Sequence, residues 1–263
     1  MRILITNDDG ITAPGLEVAE EIAAQVAGPD GEVWVVAPAF EQSGVGHCIS
    51  YVRPMRVEQM GPRRFAVEGS PADCAMAGLL DIMKETPPDL VLSGVNRGHN
   101  VAEDTLYSGT IGGSMEAALH KFRTVAMSQY YGPGNNAEAD PFEAARVHGP
   151  DILRKLINGA TWEEDGRYGV FYNVNFPPVP AADVKGVKAT AQGERGGSPF
   201  GLEPHVAPNG RRYLWIKHGM GNATCAPGTD AREASEGQIT VTPLRADLTA
   251  RDLISGLGEV LAK

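Results

Sequence analysis

Over its first 130 residues the chain alternates short, near-continuous apolar runs with segments of helical period, and few folds accommodate that pattern. Residues 2–6 read as a buried strand, 16–27 as an amphipathic helix begun near Pro14-Gly15, and 33–37 as a β-branched strand closed by Pro38. Helical period returns over 71–84, with Ser70 placed to cap the helix and Pro71 at its first position. Residues 89–93 and 124–128 are further buried strands, with a helix expected over 109–122 between them. A strand that is apolar on both faces must be covered on both faces, and a parallel sheet with crossover helices does this. The expectation is an α/β fold of three layers around a mostly parallel, Rossmann-like sheet.

The second half is less regular. Residues 131–136 form a Gly/Pro/Asn loop, 141–158 a helix interrupted or kinked at Gly149-Pro150, and 169–176 a strand ended by Pro177-Pro178. The acidic run Glu163-Glu164-Asp165 reads as a solvated turn. From 185 to 237 short strand-like runs (187–191, 212–217) sit among Gly, Pro and charged residues. An excursion of that length in a compact protein is usually functional or part of an interface. A last strand over 239–242 and a helix over 248–261 close the chain. No internal repeat is present. At about 150 residues per domain, 263 residues allow one large domain, or one with an appendage.

Charge narrows the function. With 23 Lys+Arg against 33 Asp+Glu, the net charge is 23 − 33 = −10. Binding a nucleic-acid polymer along an extended surface depends on neutralising phosphates with Lys and Arg, so that class is disfavoured. A small phosphate-bearing ligand remains open, because a divalent cation can supply positive charge locally. Cys48, Cys74 and Cys225 are odd in number and unpaired in spacing, as expected of reduced thiols. The apolar start is cut short at Asn7 and no run approaches the roughly 20 residues that span a bilayer. The expectation is a cytoplasmic protein with no membrane contact.

In an open parallel sheet, ligands bind beyond the carboxyl ends of the strands. The first strand delivers Asn7-Asp8-Asp9-Gly10 there, and the second delivers Glu41, Gln42 and Ser43. The strand ending at Ser93 delivers Asn96, Arg97 and His99, and Ser108-Gly109-Thr110 then enters a helix. Adjacent carboxylates turned into one pocket repel unless a cation lies between them, and a hard cation such as Mg²⁺ or Mn²⁺ prefers oxygen ligands. An Asp-Gly turn with no ligand would use the same tetrapeptide. Asn96 and Ser43 are neutral oxygen donors, although each could equally serve a local turn. Ser108-Gly109-Thr110 suits a phosphate, whose charge is favoured at a helix N-terminus, and also suits an ordinary cap. Gly112 and Gly113 would let that helix approach its neighbours closely. The six histidines show no H-x-x-x-H or H-E-x-x-H spacing, and P-loop, G-x-G-x-x-G and G-x-S-x-G signatures are missing after the first strand or throughout.

Longer motifs carry a resemblance. M-R-I-L-I-T-N-D-D-G-I, the E-x-S-G-x-G-H segment from Glu41 to His47, G-S-P-A-D-C from Gly69, and P-D-L-V-L-S-G-V-N-R-G-x-N from Pro88 stand in order. Y-S-G-T-I-G-G-S-M-E-A-A-L from Tyr107 and T-D-A-x(5)-G-x-I-T-V-T-P-L from Thr229 extend the series. Together they resemble the SurE family, the survival-protein nucleotidases, over essentially the whole chain. The resemblance implies a metal-dependent phosphohydrolase acting on nucleoside 5′- and 3′-monophosphates and sometimes on short polyphosphate. It places one divalent cation per subunit, Mg²⁺ or Mn²⁺, on Asp8, Asp9, Ser43 and Asn96. Phosphate contacts fall on Ser108, Gly109 and Thr110, with Asn7 close by, and catalysis on Asp8, Asp9 and Asn96. It also implies a homodimer or homotetramer that exchanges a C-terminal hairpin and tail, so that 1–263 is a single catalytic domain and 185–237 a β-rich oligomerisation excursion. One loop departs from the pattern: Ala39-Phe40-Glu41-Gln42-Ser43 lacks the family's usual acidic and basic pair and its arginine. His99 is assigned no catalytic role.

Two other classes compete. A receiver-like regulatory module that binds nucleotide or phosphate without catalysis also has an acidic pair after its first strand. It needs an acceptor Asp at the end of its third strand, where this chain has Ser93-Gly94. A nucleotide-sugar transferase could use Asp8-Asp9 as its metal motif.

Overall fold

The computed structural model describes residues 1–162, 168–196, 200–218 and 225–262. The acidic run at 163–165 and parts of the 185–237 excursion therefore lie outside the described residues. The first elements are β1 (Arg2–Thr6), α1 (Pro14–Ala27), β2 (Glu32–Pro38), β3 (Val57–Gly61), β4 (Arg64–Val67) and α2 (Pro71–Ala77). Next come β5 (Leu90–Arg97), α3 (Gly109–Leu119), β6 (Thr124–Gln129), α4 (Glu143–Gly159) and β7 (Phe171–Phe176). The chain ends with β8 (Gly186–Ala189), β9 (Phe200–Val206), β10 (Arg212–His218), α5 (Asp230–Ser235), β11 (Gln238–Leu244) and α6 (Ile254–Leu261).

Among the described residues, nine strands form one sheet in the order β3-β4-β2-β1-β5-β6-β7-β11-β8. The pairings from β4 through β7 are parallel, β11 with β8 is parallel, and β3–β4 and β7–β11 are antiparallel. Among the described residues β9 and β10 pair with each other alone, as an antiparallel hairpin. This is the expected mostly parallel α/β sheet with a separate β-rich excursion.

The period-2 geometry of a strand explains the three layers. Ile3 and Ile5 of β1 pack with Leu16, Ile22, Ile152 and Leu153 of α1 and α4 on one face. Leu4, between them, packs with Cys74, Leu79, Met83 and Ala117 on the other. Ile3, Leu4 and Ile5 are fully buried, so both faces need cover, as the sequence predicts.

Several boundaries differ from the sequence reading. The helix expected to 84 is α-helical only to Ala77 and continues as a π-helical turn, Gly78–Ile82. A Cβ at Gly78 would lie 2.6 Å from Leu4 Cδ2, so the widened turn begins at a close contact between the helix and the sheet. α3 stops at Leu119, with Lys121 in the left-handed region (φ 66°). α4 runs through Pro150 as one helix, and Gly149 is where it meets α1: a Cβ there would lie 2.7 Å from Ile22 Cδ1. The last helix begins at Ile254 rather than 248, behind a 3-10 turn over Arg251–Leu253. The β3–β4 hairpin and β9 have no counterpart in the sequence reading. β3 and β9 are largely exposed and lack the apolar run that marks a buried strand. Among the described residues no helix is long and apolar enough to cross a membrane. All three cysteines are free thiols.

Candidate active site

The carboxyl ends of β1 and β5 lie side by side, with Thr6 opposite Ser93. From β1 the chain moves to β2 on one side and later returns to β5 on the other. Such a reversal leaves a crevice in an open α/β sheet. Asn7 to Gly10 emerge at its edge.

Asn7 builds the turn. Its Nδ2 donates to the Gly10 carbonyl at 2.9 Å and its Oδ1 accepts from the Gly10 N–H at 3.3 Å. Gly10 has φ +101°, a backbone conformation that favours glycine. The amide thus spends both ends inside the turn, and its direct effect is to present Asp8 and Asp9.

The two carboxylates meet different surroundings. Asp8 is 4% exposed, and its Oδ1 accepts a hydrogen bond from Thr110 Oγ1 at 2.6 Å. Burial pushes the Asp8 carboxyl up to about 6 and the Asp9 charge adds to this, against the stabilising Thr110 hydroxyl and backbone N–H. Asp9 is less buried, and its Oδ2 accepts from the Arg97 backbone N–H at 2.9 Å. Burial raises the Asp9 carboxyl too, with Glu41 adding to the effect and Arg97 opposing it.

The helix N-terminus expected to seat a phosphate lies against Asp8. Ser108 caps α3 by accepting the Ile111 N–H at 3.1 Å, which leaves its hydroxyl proton to donate elsewhere. A Cβ at Gly109 would lie 2.8 Å from Asp8 Cβ and 3.1 Å from Asp8 Oδ2, so only glycine lets the helix come this close. Gly112 and Gly113 act similarly. Their Cβ atoms would fall 2.3 Å from the Gly46 carbonyl oxygen and 3.2 Å from Thr6 Cγ2.

The loop after β2 is tied to the same place. The Gln42 N–H donates to the Asp8 carbonyl at 2.7 Å, the Gly46 N–H to the Tyr107 carbonyl at 2.8 Å, and Ser43 Oγ to Glu41 Oε1 at 2.9 Å. Ser43 itself is exposed. His47 Nε2 and Glu116 Oε2 of α3 lie 2.6 Å apart, which clamps the loop further. Ser70 and Asp73 form a reciprocal cap at α2, and both Asp73 oxygens also accept from Ser50. G-S-P-A-D-C is thus an anchor for this loop. On β5, Asn96 Nδ2 donates to the Gly98 carbonyl at 3.0 Å, which orients the amide and leaves Oδ1 as its acceptor atom.

These groups suit a hard divalent cation. Two carboxylates raised by burial stand at the crevice, and Asn96 and Ser43, on β5 and in the loop after β2, are neutral oxygen donors of the kind such a cation takes. Among the described residues no group of three or more His, Cys, Asp or Glu could by itself hold a metal ion.

Comparison with known proteins decides the family. The model for "Survival protein SurE" matches residues 3–198. The chain belongs to the SurE family. It is 64% identical over 260 residues to a protein named 5′-nucleotidase SurE from Roseobacter denitrificans, covering 99% of each. It is 60% identical over 262 residues to one of the same name from Ruegeria pomeroyi, covering 99% of this chain and all of the relative. The crystal structure of the SurE protein from Aquifex aeolicus superposes with a TM-score of 0.82 at 32% identity, covering 99% of both chains.

Within this SurE site, three contributions escape the sequence reading: the Arg97 backbone N–H on Asp9, the Glu41 charge facing Asp9, and the Gln42 N–H on the Asp8 carbonyl. Each lies inside a recognised motif, but the two main-chain contacts carry no residue-type signal, and the Glu41 effect depends on its distance from Asp9 in space. In the departing loop Phe40 is 69% exposed. His99 lies against Tyr130, with ring centroids 4.0 Å apart, and 3.6 Å from Asp104.

Proposed function

We propose that the chain hydrolyses nucleoside 5′-monophosphates to nucleoside and phosphate with the help of one divalent cation, Mg²⁺ or Mn²⁺. What supports this most is a buried carboxylate seated at the start of α3, in a chain 64% identical end to end to a protein named 5′-nucleotidase SurE. Asp8, Asp9, Ser43 and Asn96 would hold the cation. When bound, it supplies Lewis-acid polarisation of a phosphoryl oxygen and acidifies water. Nucleoside 3′-monophosphates and short polyphosphate are further substrates in this reading.

The chain's own residues do the rest. Ser108 and the first N–H groups of α3 orient the phosphate by donation, and the helix dipole favours its charge. Thr110 holds Asp8 ionised and aimed, while the Arg97 N–H does the same for Asp9. Hydrolysis breaks the bond between phosphorus and the ester oxygen; a hydroxyl from water joins phosphorus and a proton goes to the departing nucleoside oxygen. Rapid quenching of a single turnover with ³²P-labelled substrate tests whether Asp8 attacks first, since only then is label trapped on its carboxylate as an acyl phosphate.

Residues 1–263 act as one catalytic domain in this reading, and the excursion at 185–237 serves self-association as a dimer or tetramer. Leu214, Trp215 and Ile216 of β10 are each more than half exposed, a patch suited to a second copy. A phosphate-release screen over nucleotides and polyphosphate, each with a panel of divalent ions, tests the whole reading. Release that needs a cation and is abolished in Asp8→Asn supports it. Tight nucleotide binding without release under any cation favours the non-catalytic binding module.

A further inference from the structure

The turn that precedes Ser108 is gripped by residues more than 80 positions later in the chain. It runs from Ala102 to Leu106, and Ala102 has φ +51°, a left-handed conformation costly for a residue with a side chain. The Ala102 N–H donates to both carboxylate oxygens of Asp230 at 3.2 Å. Its carbonyl accepts from Gln192 Nε2 at 3.0 Å. Asp230 is fully buried and also accepts the N–H of Gly193 at 2.8 Å, which ties the excursion to the turn.

Arg195 is the centre of this grip. Its side chain is 7% exposed, and it forms a two-pronged pair with Asp104: Nη1 to Oδ1 at 2.9 Å and Nη2 to Oδ2 at 2.6 Å. Its Nη1 also reaches Glu103 Oε2 at 3.3 Å, and its backbone N–H donates to Glu103 Oε1 at 2.7 Å. A guanidinium matched to a carboxylate in this way fixes orientation as well as distance. The Asp104 carbonyl in turn accepts the N–H of Tyr107 and the N–H of Ser108, both at 3.0 Å. Ser108 then caps α3. One unbroken path therefore runs from the Arg195 guanidinium to the helix N-terminus beside Asp8.

We infer that Arg195 is a positioning residue for phosphate: through Asp104 it sets where Ser108 and the start of α3 stand, without touching the substrate. This rests on the nucleotidase reading for its substrate and deepens it. It also assigns the excursion a second task. The turn has a strained first residue and two adjacent carboxylates, Glu103 and Asp104, which repel unless a cation lies between them. Arg195 supplies that cation. Lysine keeps the charge and loses the fork, so it holds the turn in place less tightly. Asp9 hangs on the Arg97 N–H, away from this path, and Asp8 meets it through the single Thr110 bond, so cation affinity follows the path less than phosphate affinity does.

The test compares wild type, Arg195→Lys, Asp104→Asn and the double variant. Inorganic phosphate binding in saturating Mn²⁺ and Mn²⁺ binding without phosphate are measured by calorimetry. Steady-state kinetics on a nucleoside 5′-monophosphate and thermal melts accompany them. Either single variant weakens phosphate and raises KM about tenfold, the scale of one impaired charge-assisted hydrogen bond, while kcat and Mn²⁺ affinity stay within about threefold. The double variant is no worse than the weaker single, because both changes cut one path. Unchanged phosphate affinity in both single variants overturns the inference. So does Mn²⁺ affinity falling in step with phosphate, or additive losses in the double variant. A variant that only melts earlier, with phosphate affinity intact, shows a structural role alone and also overturns it. Wild type that binds phosphate but releases none from nucleotides refutes the nucleotidase reading and leaves the positioning comparison decisive. Wild type that binds no phosphate overturns both.

Discussion

Replacing Thr110 by valine removes one hydroxyl and nearly nothing else. That hydroxyl is buried and donates to Asp8 Oδ1 at 2.6 Å, where it stabilises the ionised carboxylate against the burial that pushes it up to about 6. A hydrogen bond to a charged group contributes about 1.5–3 kcal/mol, and one pKa unit corresponds to about 1.4 kcal/mol. Thr110→Val should therefore lift the Asp8 carboxyl by a further one to two units, to about 7–8. A proton and a cation compete for the same oxygens. At pH 6.5 the variant should bind Mn²⁺ about three- to twenty-fivefold more weakly than wild type, and most of the difference should vanish by pH 8.5. Calorimetric titration with Mn²⁺ between pH 5.5 and 8.5 reads this directly, with kcat/KM on a nucleoside 5′-monophosphate following the same curve. Thr110→Ser keeps the donor and should track wild type. An unmoved midpoint in Thr110→Val, or one displaced to lower pH, refutes the argument. The same shift has a stability consequence for the metal-free protein. The folded value of about 6 lies above the unfolded value of 3.8, so Asp8 contributes stability below pH 3.8 that is lost as pH rises through 6. Two units correspond to about 3 kcal/mol. Added Mn²⁺ should accordingly raise Tm more at pH 7.5 than at pH 5, and equal increments at both would contradict the burial account.

Other expectations follow from single contacts. Asp9→Asn keeps the bond from the Arg97 N–H but removes one of two carboxylate charges, so Mn²⁺ affinity and turnover should fall together by at least about a hundredfold; turnover at the wild-type rate would remove Asp9 from the cation site. Gly109→Ala places a methyl 2.8 Å from Asp8 Cβ and 3.0 Å from Pro71 Cγ, overpacking that costs about 1–3 kcal/mol. Its melt should come earlier and its Mn²⁺ affinity should drop, whereas wild-type values for both would mean that α3 has slack. Trp215→Ser with Ile216→Ser strips apolar area from the exposed hairpin, so, on the proposed self-association, the variant should sediment as a monomer and wild type as a dimer or tetramer. Wild type that sediments as a monomer would end the oligomerisation assignment.

The elements legible in the sequence are those whose residues satisfy local rules. The chain Ile3-Leu4-Ile5 declares a strand buried on both faces, and the structure puts its alternating side chains into two separate cores. Ser70-Pro71 with Asp73 declares a helix start, and Ser108 declares another; both caps form. The Asn-Asp-Asp-Gly turn is legible because Asn7 and Gly10 close it between themselves. β3 was illegible: an exposed edge strand needs no apolar pattern, and its partner β4 supplies the backbone bonds.

The acidic pair, Asn96, Ser43 and the Ser-Gly-Thr helix entry are candidates that the sequence names by residue type and place after a strand, and the family resemblance is what gives Asn96 and Ser43 a ligand role. Only the tertiary structure decided what state those groups adopt. The approach of α3, permitted by Gly109, buries Asp8 and sets its proton affinity. Arg97, 88 positions from Asp9, holds that carboxylate through a main-chain N–H that any residue but proline could offer. Arg195, 91 positions from Asp104, is an unremarked basic residue in an irregular stretch until folding buries it against two carboxylates. Electrostatics and burial depend on distance in space, and a one-dimensional pattern carries that information only for near neighbours.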